Sequence, residues 1–182
     1  YRAKSQVHLA AMNRIIAKAA GDPKEDLAEQ FRAEVAEAVK SAKSAVDLNS
    51  GDSQNWLRLG QVYESVIPYN VANADKSAFD AYDRARDVDP FNPLFPLAAA
   101  RAHLTNADIL TLQINQTSSG DQRSRMEQLR KEYLAKAKEA ANAAVSLKPD
   151  FAGAHFMLAQ TAIRENNIQE AIKSTAVTAR LT

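Results

Sequence analysis

Trp56-Leu57-Arg58-Leu59-Gly60-Gln61-Val62-Tyr63 decides the fold. Trp56, Leu59, Gly60 and Tyr63 fall on one face of a helix, and the glycine lets a partner helix approach closely. Downstream, Ala78, Tyr82 and Ala85 set small, aromatic and small residues along a second helix, and Pro90 closes the unit. The spacing recurs. Ala137, Ala141, Ala144 and Pro149 reproduce it, and an earlier copy runs Ala38, Ala42, Ala45 and Ser50. A last copy runs Ala171, Thr175 and Thr178. Four matches in one register imply four second helices of a repeated helical hairpin.

This pattern resembles the tetratricopeptide repeat over roughly residues 34–182, and more weakly before that. The resemblance implies an all-α fold, an α-solenoid of antiparallel helical hairpins, about eight helices in all. From Pro149 to the next proline slot, position 183, is 34 residues, the period of that family. From Ser50 to Pro90 is 40 and from Pro90 to Pro149 is 59, so two repeats are enlarged, by 6 and 25 residues. The expected division is 1–52, an N-terminal hairpin that is degenerate or capping; 53–92, a repeat with an inter-helix insertion; 93–151, a repeat with lengthened helices; and 152–182, a last repeat cut short.

Pro68 places the smaller insertion, Val66 to Asn73, in a loop between helices, and its apolar residues predict that it folds back. The larger one surrounds Gln116 to Asp121. A floppy loop of that size is improbable, so both helices are expected to lengthen, one to about Asn115 and the other from near Asp121. Glu127 with Lys131 and Glu132 with Lys136, acid first at i,i+4, support the second. At the N-terminus, Val7, Leu9, Ala10, Ala11, Ile15 and Ile16 predict an apolar side for a helix over 2–20. Gly21-Asp22-Pro23 should stop it and start the next, with Asp22 as cap and Pro23 in the first helical position.

Composition bounds the function. The 182 residues are 46% hydrophobic with only 5 glycines, and 23 basic against 22 acidic residues leave a net charge of +1. Such balance argues against a dedicated nucleic-acid or membrane-surface binder. No stretch is long and apolar enough to span a bilayer, and no signal-peptide pattern appears. The absence of cysteine excludes disulfides and thiolate metal sites. The start at Tyr1 and the incomplete last repeat suggest a piece of a longer or processed protein. The compartment stays open.

The family is a binding scaffold, so the resemblance implies a non-catalytic, protein- or peptide-binding role for a concave groove. Inward-facing positions come in columns: Leu57, Leu97 and Phe156 form an apolar strip, and Gln61, Arg101 and Gln160 a hydrogen-bonding one. The bland alternative is that the apolar column merely packs against neighbouring helices. Arg58 and Arg101 could hold an acidic group, although solvent-facing arginines are commoner. The lysine–asparagine clamp of chaperone-type members is missing. A weaker resemblance, in texture around Ala78–Tyr82 and Asp89–Pro93, is to repeats that hang from bacterial O-antigen ligase or polymerase-like membrane proteins. It implies a structural, self-associating module on the extracytoplasmic face. Ile163, Ile168 and Ile172 at the open last repeat are the candidate self-association surface.

Catalytic, metal and cofactor roles find no footing. His103 takes the slot of Tyr63 and His155 that of Trp56, which makes both packing residues; His8 stands alone. Asp80, Asp83 and Asp87 share a helix face but lack a calcium-loop geometry, and Arg84 and Arg86 offer ion pairs. The basic run Arg123, Arg125, Arg130, Lys131, Lys136 and Lys138 is diluted by Glu127, Glu132 and Glu139 and reads as charged surface. No nucleophile elbow or phosphate loop occurs, and Gly120 and Gly153 are isolated glycines at helix boundaries.

Overall fold

The fold was analysed in a computed structural model, which describes residues 1–21, 27–118 and 120–181. These are 86% helical with no strand. The helices are α1 (Arg2–Gly21), α2 (Ala28–Leu48), α3 (Ser53–Val66), α4 (Ala74–Val88), α5 (Leu94–Gln116), α6 (Gly120–Leu147), α7 (Ala152–Arg164) and α8 (Ile168–Leu181). The chain is all-α, built of consecutive antiparallel hairpins in two compact units, Tyr1–Val88 and Asp89–Thr182.

In unit 1, α1 pairs with α2 and α3 with α4, and α2 packs on α3. Gly60 acts as the spacing requires: a Cβ there would fall within the ring of Tyr82 on α4. Tyr82 is buried, and its hydroxyl donates to the carboxylate of Glu64, one turn beyond the glycine. Asp52 caps α3 by accepting from the Gln54 amide at 2.9 Å. The insertion forms a 3-10 turn, Ile67–Tyr69, with Asn70 and Asn73 at positive φ, a conformation asparagine tolerates. It folds back as expected. Ile67 is buried, and Tyr69 meets Phe31 of α2 edge-on at 4.9 Å between ring centres.

The apolar side expected of α1 needs correction. Val7 and Ala10 are exposed and Leu9, Ala11, Ile15 and Ile16 half-buried, while Met12 and Ser5 are the buried positions. Spacing by chemical type missed both: Ser5 is admitted because its hydroxyl donates back to the Arg2 carbonyl at 2.8 Å. The expected cap at Asp22 and Pro23 lies outside the described residues.

In unit 2, α5 pairs with α6 and α7 with α8; α6 packs on α7, and α5 also touches α7. The larger insertion is two long helices, α5 of 23 residues and α6 of 28, against 13 for α7 and 14 for α8. Their contact includes Leu104 and Ala107 against Leu134 and Ala137, with Tyr133 packed beside them. The alanine series of α2, α4 and α6 are buried throughout. The α8 copy is only half so: Ala171 is buried and Thr175 exposed.

Candidate functional site

The exposed face of α5 and α7 in unit 2 carries the expected groove residues. Leu97 and Arg101 lie one turn apart on α5, and Phe156 and Gln160 lie one turn apart on α7. Arg101 is exposed, Leu97 and Gln160 are half-buried, and Phe156 keeps 47% of its surface in solvent, far more than a core aromatic would. Gly153 seats Leu97: a Cβ at 153 would come 3.3 Å from Leu97 Cδ2. The spacing identified this glycine only as a boundary residue, yet it sits inside the first turn of α7 against the end of the Leu97 side chain.

Sequence reasoning missed a third row beyond these two. Asp108 on α5 accepts from Arg164 Nε and Nη2, both at 2.7 Å, in a bidentate pair. Arg164 Nη1 also donates to the Gln160 side-chain oxygen at 2.9 Å and to its carbonyl at 3.0 Å. The hydrogen bonds and charge of Asp108 hold the Arg164 guanidinium above its usual value, against the opposing pull of burial. From α6, Arg130 donates to Thr111 and to the Arg164 carbonyl, each at 2.8 Å, and Lys138 reaches Glu165 at 3.3 Å. The basic run is therefore not all open surface: two of its members fasten α6 to α5 and to the end of α7. No spacing rule could show this, because Asp108 and Arg164 are 56 positions apart.

The inward-facing residues of α3 in unit 1 differ. Leu57 is buried, so there the packing alternative describes what the side chain does. Gln61 is half-buried. Arg58 is half-buried with its Nε enclosed and without a hydrogen-bond partner among the described residues. Burial, then the nearby charge of Arg2, pushes its guanidinium below the usual value, with Tyr82 opposing.

The histidines sit in packing positions. His155 Nε2 meets the Pro149 carbonyl at 2.8 Å, the same six-residue reach by which Trp56 Nε1 donates to Ser50 at 2.8 Å. His103 lies 5.9 Å from the Tyr133 ring, and burial, helped by Lys136, lowers its pKa to about 4. His8 Nδ1 contacts Glu34 at 2.6 Å across α1 and α2. On α4, Asp83 pairs with Arg86 at 2.8 Å and Asp87 with Arg84 at 3.8 Å, along a solvated face. No group of three metal-ligating side chains occurs among the described residues, and no described helix is long and apolar enough to cross a membrane.

No family model and no curated protein matches the chain. Among solved structures it is similar to MamA, at 16% identity over 86% of this chain and 95% of that one, with a TM-score of 0.34. A second MamA structure shares 13% identity over 98% of this chain and 91% of that one, TM-score 0.35. The assembly chaperone of RpL4, Acl4, shares 15% over 93% and 75%, TM-score 0.31. The resemblance to O-antigen ligase tails gains no support from them. The antiparallel hairpins themselves rest on the chain's own packing, such as Gly60 against Tyr82.

Proposed function

We propose that the chain is a non-catalytic scaffold that holds a protein segment, and that the α5–α7 face of unit 2 is the contact surface. The carrying observation is Phe156, an aromatic nearly half exposed, one turn from Gln160 on α7. An exposed aromatic anchor flanked by polar groups suits an extended peptide better than it suits water. Leu97 and Phe156 would take apolar side chains, and Arg101 and Gln160 the polar main chain. Unit 1 has a candidate pair of its own, Gln61 and Arg58, with Arg58 suited to an acidic group.

A linear peptide selected from a random library on the intact chain, labelled for fluorescence anisotropy, serves as the test. Replacing Arg101 and Gln160 together by alanine should weaken binding about tenfold or more while helicity stays intact. Unchanged affinity with intact helicity removes the face from the model.

A second reading rests on Ile168 and Ile172 of α8 and Ile163 of α7, which are 59%, 65% and 53% exposed. Aliphatics this open would support self-association, the role a structural module of an envelope machine would require. A mass independent of concentration in sedimentation counts against it.

A further inference from the structure

The Gln160 amide can face a ligand with either end, and its neighbours decide which. Arg164 has only donors, so the group it touches on Gln160 must be the oxygen, whichever way the amide is drawn. Asp108 holds that guanidinium from the opposite side through two 2.7 Å bonds, so it cannot swing away without losing both. The Gln160 NH2 is then left pointing away from Arg164, with no partner among the described residues. Arg164 also lies one turn from Gln160, as Gln160 does from Phe156, so the three form one stripe on α7.

We propose that the Asp108–Arg164 pair sets the polarity of this surface at Gln160: it consumes the amide oxygen and presents the N–H donors, so that the position reads a main-chain carbonyl of the bound segment. The inference rests on the groove reading above. A carbonyl is favoured over a carboxylate because Asp108 already neutralises the charge of Arg164, the cation that touches Gln160. Asp108 and Arg164 are positioning residues on this account, and of these three side chains only Gln160 touches the ligand.

The test uses the same selected peptide on the intact chain. Phe156→Asp comes first: loss of binding places the peptide on this face, whereas retained binding removes the groove and this inference with it. With the peptide so placed, Gln160→Glu, which keeps size but removes the donor, should weaken binding about tenfold. Arg164→Gln should weaken it by a smaller factor, about threefold, by freeing the amide to turn. In the parent chain the Gln160 side-chain amide resonance should shift on adding peptide, a signal that a merely structural residue would not give. Full affinity in Gln160→Glu, beside loss in Phe156→Asp, overturns the inference and leaves the groove standing. A steep salt dependence abolished by Gln160→Glu overturns it in favour of a carboxylate.

Discussion

Unit 1 closes its α3–α4 hairpin on one aromatic ring, which fills the space above Gly60 and hydrogen-bonds to Glu64 behind it. Unit 2 closes α5–α6 on small and aliphatic side chains, with the Tyr133 ring packed beside them, and fastens the pair to α7 with Asp108, Arg130 and Arg164. The first arrangement is dry and intolerant of added volume. The second is polar, half exposed and spread over many contacts. The same repeat pattern thus supports two ways of holding a hairpin.

The sharpest way to break this contrast is Gly60→Ala. The new methyl would have to displace a buried ring, so a loss of about 3 kcal/mol is expected, at the upper end of overpacking costs. Hydrogen exchange should show lost protection in α3 and α4, with α5 to α8 unchanged; protection retained in α3 would refute the dry-core account.

Next comes pH, which should act on unit 2 through His103. Its folded pKa, about 4, lies below the ordinary 6.5 of the unfolded chain. Between these values the unfolded state binds a proton that the folded state refuses. Stability is therefore full above about pH 6.5 and falls as pH drops towards 4, by roughly 2 kcal/mol once partial exposure is allowed for. Urea denaturation at both ends of that window, in the parent and in His103→Gln, measures the effect; an equal slope in both chains would assign it elsewhere.

Smaller still is the polar fastening. Asp108 is half exposed, so Asp108→Asn should cost only about 1 kcal/mol and the difference should shrink in salt. A loss several times larger would mean that the pair belongs to the core rather than to the surface. Smallest is Gly153→Ala. Here the obstacle is the end of the Leu97 side chain at 3.3 Å, which can give way, and alanine's helix preference offsets the crowding. A net change within about 0.5 kcal/mol is expected by thermal denaturation. A cost like that of Gly60→Ala would erase the contrast between the units.

Much of the architecture was legible because it follows from local rules. Trp56, Gly60 and Tyr82 announce their packing by spacing alone, and the long α5 and α6 follow from a length too great for a loop. The slot shared by Trp56 and His155 was legible too, since both reach the carbonyl six residues back. The apolar side of α1 was misread at Val7 and Met12, because residue type does not say which way a helix turns towards its neighbour. Nor could Gly153 be distinguished from a boundary glycine until Leu97 was seen beside it.

By itself, the sequence determined that the chain is built of helical hairpins, and which alanines of α2, α4 and α6 line their contacts. These are matters of periodicity, helix-breaking residues and volume, all encoded within a few turns. Only the tertiary structure decided that Leu57 is packing while Phe156 is open, and that Arg164 reaches Asp108 and turns the amide of Gln160. Those outcomes depend on which helices lie side by side, and pairs 56 positions apart leave no mark in local spacing.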